Sequence, residues 1–129
     1  MKRVRKRTTT TKGSSSLKRL SREFYDQNAL ELCESLLGKV LTRKLPHGEI
    51  IRGTIVETEA YPGQIDPASA SFSGKRTEKN AAMFMDPGTS YVYFTYGMYY
   101  CFNVSSAGNF PTNFLKQKDV HNGNALIFF

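Results

Sequence analysis

The feature that most constrains the fold is a stripe of apolar residues at helical spacing, placed ahead of two pairs of strand-forming segments. The stripe predicts a helix over residues 25–38. Its apolar residues recur on one face: Ala29, Leu30, Cys33, Leu36 and Leu37. Asp26 is the expected N-cap, and Gly38 is expected to follow the last turn, where glycine adopts the left-handed conformation without strain.

Two β-hairpins are expected after this helix. Residues 39–45 and 49–61 are rich in strand formers and flank the turn Pro46-His47-Gly48. Residues 90–95 and 98–104 are rich in aromatic side chains and meet at Tyr96-Gly97, which predicts the second hairpin. Residues 62–82 lie between the hairpins and contain much Pro, Gly, Ser and charge, so they predict a long irregular loop.

Composition is that of a soluble protein of one domain. The 129 residues are 40% hydrophobic and 22% charged. No apolar run approaches the roughly 20 residues that cross a bilayer, and no signal-peptide core follows the basic start, so we expect no membrane association. Cys33 and Cys101 are isolated, and no Cys/His/Asp cluster has the spacing of a zinc site, so we predict no metal.

The net charge of +7 is concentrated at the start of the chain. Residues 1–20 contain eight Lys or Arg and no acid, so residues 21–129 together carry about −1. The same segment contains runs of Thr and Ser, so we expect residues 1–19 to be a disordered basic tail. Such a cluster is typical of a nuclear address or a nucleic-acid-contacting arm, and we predict a nuclear protein. A solvated terminus without further function and an organelle transit peptide are the alternatives.

The pattern changes near the C-terminus. Residues 109–114 show no clear period, and the chain ends in the apolar run 125–129. We expect residues 107–129 to be an atypical segment and the fold to be incomplete at the C-terminus, as in a truncated or alternatively processed product. A genuine C-terminal strand is the alternative.

Two glutamates are candidates for chemistry. Glu57 and Glu59 lie two residues apart on a predicted strand, so their side chains share a face about 7 Å apart. A carboxylate there can activate a water molecule and steady the oxocarbenium charge that develops when a glycosidic bond breaks. The spacing alone is also that of two solvated glutamates.

Tyrosines crowd the second hairpin. Five of them lie within residues 91–100. Tyrosine in a hairpin usually packs in a core or against a cross-strand neighbour. Aromatic faces also stack on nucleobases, and an enzyme that acts on a base in duplex DNA takes it out of the stack and holds it between flat side chains. A tyrosine at the tip beside Gly97 can fill the gap as a wedge.

Several segments together resemble the alkyladenine (3-methyladenine, alkylpurine) DNA glycosylase family. They are residues 52–61, RGTIVETEAY; residues 83–89, MFMDPGT; residues 91–93, YVY; residues 96–99, YGMY; and Asn103-Val104. The resemblance runs over about residues 20–106, which correspond to the N-terminal part of the family's domain. It implies an α+β fold in a single domain, with a curved antiparallel sheet, an N-terminal helix and a protruding β-hairpin that enters the minor groove.

The resemblance also implies an activity and its residues. The family hydrolyses the N-glycosidic bond of alkylated or deaminated purines, of the 3-methyladenine and hypoxanthine type, which starts base-excision repair. It acts on double-stranded DNA containing a damaged purine, without a cofactor, and we expect a monomer. Glu59 resembles the catalytic residue that activates water, Tyr61 and Tyr93 the aromatics that hold the base, Asn103 the residue that excludes guanine, and Tyr96 the intercalating wedge. Glu57 matches a position without a catalytic role, so it is expected to be solvated.

Two departures from the family pattern bear on activity. Ala70 stands where the family has a pocket histidine, and the family's later arginine has no counterpart, since the surroundings of Lys116 do not match. The alternative function is therefore a catalytically inactive, truncated product with only weak DNA binding through the tail. A basic RNA-associated protein is a third reading, but no RNP or KH signature is present.

Overall fold

The computed structural model describes residues 2–5, 18–107 and 124–128. This part of the chain contains an α-helix, four short 3₁₀ helices and seven strands, all paired antiparallel, which confirms the α+β class. The helix α1 is Ala29–Leu36, and the 3₁₀ helices are Arg22–Tyr25, Gly63–Ile65, Phe72–Gly74 and Glu78–Phe84. The strands are β1 Lys2–Arg5, β2 Val40–Lys44, β3 Ile50–Thr54, β4 Glu57–Tyr61, β5 Ser90–Thr95, β6 Tyr99–Ser105 and β7 Asn124–Phe128.

Helix α1 is shorter than its apolar stripe predicts, and the expected N-cap was wrong. Asn28, not Asp26, caps the helix, since its side chain accepts hydrogen bonds from the backbone N–H groups of Leu30 and Glu31 at 3.1 Å each. Asp26 instead ends the preceding 3₁₀ turn, where its N–H donates to the carbonyl of Glu23. The expected glycine after the last turn is confirmed, because Gly38 follows the C-cap with φ +81°.

The first predicted hairpin forms, but its second segment is two strands rather than one. β2 and β3 pair from Val40↔Thr54 to Lys44↔Ile50 as a separate two-stranded sheet. Ile55 ends this pairing: it is buried, and its backbone exchanges 2.8 Å hydrogen bonds with Gly38 and Lys39. The residues after it join the larger sheet as β4. A run that reads as continuous in sequence is therefore divided between two sheets.

The larger sheet has five strands in the order β1-β4-β7-β6-β5. Segments from both ends of the chain enter it: Lys2–Arg5 pairs with one side of β4, and Asn124–Phe128 fills the space between β4 and β6. Residues 6–17 of the expected disordered tail at 1–19, and residues 108–123, lie outside the described residues. The domain boundaries at 19 and 106 stay predictions.

The two faces of this sheet have different environments. One face packs on α1 through Thr58, Ala60 and Val104, and the Thr58 hydroxyl donates to the carbonyl of Cys33 at 3.0 Å. The helix contributes the other buried apolar side chains of this core, which are Ala29, Leu32, Cys33 and Leu36, joined by Ile55. Among the described residues, no helix is long and apolar enough to cross a membrane.

The corrected N-cap leads to a stability prediction. Replacing Asn28 by Ala removes the acceptor for two N–H groups of the first turn, so the free energy of unfolding should fall by about 1 kcal/mol. Asp26→Ala is the matched control and should leave it nearly unchanged. Urea unfolding followed by circular dichroism measures both, and a larger loss in the Asp26 variant would contradict the capping assignment.

The buried thiol of Cys33 predicts a loss of stability at alkaline pH. Burial, and to a lesser extent the charges of Glu34 and Glu59, raise its pKa from 9.0 to about 12. Between these values the unfolded chain releases a proton that the folded chain keeps, so stability that is present below pH 9 is lost as the pH rises. Between about pH 8 and about pH 10 in reducing buffer, the free energy of unfolding should fall by roughly 1 kcal/mol more in the parental protein than in Cys33→Ala. Equal pH dependence in the two proteins would overturn this.

Candidate active site

The face of the five-stranded sheet opposite α1 brings the predicted site residues together. Glu59 pairs with Leu126 of β7, Leu126 pairs with Asn103, and Asn103 pairs with Tyr91, so these positions form one row across four strands. Two strand spacings separate Glu59 from Asn103, or about 10 Å. Tyr61 and Tyr93 share its face and lie two residues along their strands from this row, on opposite sides of it.

Glu59 is held by its neighbour on the same face. It is half-buried, and the Tyr61 hydroxyl donates a hydrogen bond to its Oε2 at 2.9 Å. Burial first, and then the bonded carboxylate of Glu59, raise the pKa of Tyr61 above its ordinary value of 10.0. Tyr61 therefore stays protonated and keeps donating to Glu59 throughout the physiological pH range.

Tyr91 and Tyr93 form an aromatic surface beside this pair. Their ring centroids are 6.4 Å apart with an interplanar angle of 26°. Burial raises the pKa of both, with Cys101 across the strand and then Glu59 adding to the effect on Tyr93. Tyr93 nevertheless keeps 45% of its surface exposed, so its ring is accessible to a ligand.

Asn103 is a buried polar residue in the same lining as Tyr61, Tyr91 and Tyr93. It is only 1% exposed, and its Nδ2 donates to the carbonyl of Cys101 at 3.2 Å. The side chain is thereby fixed in one orientation at the wall of a cleft.

This cleft has a volume of about 840 Å³, within the range of small-molecule sites. One wall is Tyr61, Tyr91, Tyr93 and Asn103, and the opposite wall is the loop 68–83. Glu59 stands beside the cleft and reaches it through Tyr61 rather than lining it. The arrangement suits a flat heterocycle held against aromatic rings, with a carboxylate next to it.

Sequence reasoning missed the residues that organise the loop wall. Asn80 is buried, and its Nδ2 donates to the carbonyls of Ala70 at 2.9 Å and Lys75 at 2.8 Å. Asn80 and Thr77 also form a reciprocal capping box at the start of Glu78–Phe84. The spacing of Thr77 and Asn80 is the signal that could have found it. Ala70, where the family has histidine, does line the cleft.

Tyr96 lies apart from the cleft, at the tip of the β5–β6 hairpin. It has φ +52° and is 88% exposed, and the turn closes with a 3.2 Å hydrogen bond from the N–H of Met98 to the carbonyl of Thr95. A non-glycine residue in the left-handed region is uncommon. Here this conformation is associated with an aromatic ring that projects into solvent.

The expectation that Glu57 is solvated was wrong, because it is only 8% exposed. β4 lies inside the sheet, between β1 and β7, so both of its edges are paired. Among residues 2–5, 18–107 and 124–128, no group of three His, Cys, Asp or Glu side chains is arranged to hold a metal ion.

Comparison with known proteins finds a matching family and several similar relatives. The profile of the family described as methylpurine-DNA glycosylase (MPG) matches residues 23–113. The DNA-3-methyladenine glycosylase of Homo sapiens is 55% identical over 93 residues, covering 72% of this chain and 31% of the relative. A putative 3-methyladenine DNA glycosylase of Clostridium botulinum (strain Alaska E43 / Type E3) is 54% identical over 90 residues, covering 70% and 44%.

A third relative extends the match. The putative 3-methyladenine DNA glycosylase of Clostridium perfringens (strain SM101 / Type A) is 47% identical over 105 residues, which cover 81% of this chain and 46% of the relative. The chain thus spans less than half the length of these curated relatives. Because the family profile matches well over half of the chain, the protein belongs to the methylpurine-DNA glycosylase family.

Proposed function

We propose that this protein acts in DNA base-excision repair as a glycosylase that hydrolyses the N-glycosidic bond of alkylated purines, of the 3-methyladenine type, with hypoxanthine as a further substrate. The observation that carries the proposal is the half-buried Glu59 carboxylate, held by Tyr61 at the edge of a tyrosine-lined cleft. The names of the relatives from Homo sapiens and Clostridium support the same reaction.

Glu59 is proposed to act as the general base. Its carboxylate takes a proton from a water molecule while the water oxygen attacks the sugar carbon that holds the damaged base. The bond between that carbon and the base nitrogen breaks, and its electron pair leaves with the base. The hydrogen bond from Tyr61 fixes the direction of the carboxylate, which is the positioning that such catalysis requires.

Tyr61, Tyr93 and Asn103 are proposed to bind the flipped-out base. An alkylated purine is electron-poor and stacks well on an electron-rich tyrosine ring. Asn103, buried at the cleft wall, is proposed to exclude the exocyclic amine of guanine. Ala70 offers no side-chain hydrogen bond at the opposite wall, so discrimination between bases depends more heavily on the tyrosine wall.

Duplex DNA containing the damaged purine is the proposed partner of a monomeric protein. Tyr96, exposed at the hairpin tip, is proposed to enter the helix where the base has left. The Lys- and Arg-rich first 20 residues support DNA contact and a nuclear location.

Glu59→Gln tests the reaction. Gln retains an oxygen that accepts from Tyr61 but cannot take a proton, so base release from a hypoxanthine- or alkyladenine-containing duplex should fall at least about 100-fold. Binding to the same duplex should persist, because the cleft is unchanged. Release is measured by strand cleavage at the abasic product and binding by fluorescence anisotropy.

Glu34→Gln is the matched control, since Glu34 is an exposed glutamate of helix α1, which packs on the face of the sheet away from the cleft. It should release the base at the parental rate, and parental release by the Glu59 variant would refute the assignment. If the unsubstituted chain unfolds cooperatively but releases no base, a DNA-binding protein without glycosylase activity is the better description.

Substitutions of Tyr96 separate the ring from the hydroxyl. A wedge acts through its ring, so Tyr96→Ala should lower the affinity for a damaged duplex at least about tenfold, in the range measured for loss of one stacking contact. Tyr96→Phe should keep the parental affinity. A loss of binding in the Phe variant, or none in the Ala variant, would contradict the proposed intercalation.

A further inference from the structure

A second cleft, of about 710 Å³, lies between residues 18–20 and strand β2. Its apolar lining comes from Leu20, Tyr25, Val40 and Leu41. Four cationic residues complete the lining: Lys18, Arg19, Lys39 and Arg52. Within residues 2–5, 18–107 and 124–128, no acidic side chain lines it. In the described part of the chain, no ion pair engages these four side chains, although the Lys39 ammonium lies 5.7 Å from the Phe24 ring centroid.

This lack of acidic neighbours gives the cleft a concentrated positive potential. Elsewhere the exposed cation Arg22 approaches Asp86 at 3.4 Å, and His47 approaches Glu49 at 3.0 Å. Like charges gathered around a concave surface raise the local concentration of anions. The complementary ligand therefore carries several negative charges, together with apolar groups that fit the lining.

Strand β2 borders the cleft with unused hydrogen-bonding positions. The N–H of Leu45 donates to the carbonyl of Glu49, and that of Ile55 to the carbonyl of Lys39, both at 2.8 Å. These two bonds set the phase of the antiparallel ladder, so Leu41 and Arg43 bond toward β3, while the backbone N–H and C=O groups of Val40 and Thr42 point away from it. Within the described residues β2 pairs only with β3, so this edge is open to another strand.

This cationic cleft lies far from Tyr96 at the tip of the β5–β6 hairpin. Tyr25, which lines it, packs against Gly88, where an added Cβ would come within 2.9 Å of the tyrosine ring. Gly88 lies two residues before the start of β5, and Tyr96 directly follows its last residue. The six residues of β5 extend about 20 Å, so an occupant of this cleft leaves Tyr96 uncovered.

We propose that this cleft docks an extended acidic peptide of a partner protein, which adds as a strand to the outer edge of β2. Its backbone pairs with Val40 and Thr42, its apolar side chains contact Leu20 and Tyr25, and its carboxylates reach the cations on the rim. A nucleic-acid backbone fits this cleft less well than a peptide does. Its phosphates bind hydrogen-bond donors, and they gain nothing from an apolar lining or an open strand edge.

The test uses the full chain and a fluorescein-labelled ten-residue peptide of alternating Glu and Val. Fluorescence anisotropy should show binding that weakens as salt is raised. Amide resonances of Val40 and Thr42 should shift in a ¹⁵N-correlated NMR titration. A peptide of the same sequence with N-methylated alternate amides, which cannot pair with a strand edge, should bind at least about tenfold more weakly.

Charge reversals locate the site. K39E/R52E changes two exposed residues that line the cleft and should weaken peptide binding at least about tenfold. R43E/K44E makes the same change in charge on the same hairpin outside the lining and should weaken it less than about threefold. K18E/R19E changes two cations on the other wall of the cleft, outside the hairpin, and should weaken peptide binding as much as K39E/R52E does. The loss would then not come from a change in the hairpin itself.

Three results would overturn the proposal. The first is no binding of the peptide at low salt. The second is an equal loss in K39E/R52E and R43E/K44E, which would mean general attraction to a basic surface. The third is a parallel loss of affinity for an undamaged duplex in the cleft variants with no effect on the peptide, which would assign the cleft to DNA. None of these depends on base release, so each can be told apart from failure of the glycosylase proposal.

Discussion

The alternation of side chains along β4 connects the hydrophobic core to the candidate active site. Thr58 and Ala60 are covered by α1, and Glu59 and Tyr61 therefore point to the other face. β4 is hydrogen-bonded on both sides, to β1 and β7, so a shift of register would break two ladders at once. It would also exchange the buried and functional faces, because a slip of one residue turns every side chain over. Packing of Thr58 and Ala60 on the helix thus sets the face to which the Glu59 carboxylate points.

The tyrosines lining the cleft are partly buried and protonated. Burial is the main cause of the raised pKa of Tyr61, Tyr91 and Tyr93, and the nearby carboxylate of Glu59 adds to it at Tyr61 and Tyr93. A neutral Tyr61 gives Glu59 a permanent hydrogen-bond donor, and neutral rings present a uniform aromatic wall. The opposite wall depends on one buried amide, Asn80, which ties Ala70 and Lys75 together through their carbonyls.

The two clefts differ in chemistry and in construction. The tyrosine-lined cleft is built on the five-stranded sheet and has a polar loop as its second wall. The cationic cleft is built on the edge of the two-stranded sheet, and among the described residues no acidic side chain belongs to its lining. Gly88 links the regions, since its lack of a side chain lets Tyr25 pack against the chain just before β5.

The sequence by itself determined the features that depend on neighbouring residues. The apolar stripe of α1, the glycine after it, both hairpin turns and the pairing of Tyr61 with Glu59 on one face all follow from periods of 3.6 or 2 and from local backbone preferences. The family motifs belong to the same class, because they lie within short runs of chain. Tertiary structure alone decided the end of β3 at Ile55, the burial of Glu57, the entry of Asn124–Phe128 between β4 and β6, and the loop wall held by Asn80. Each of these depends on contact between segments far apart in the chain. The local sequence pattern does not indicate which distant segment will pack against a given residue.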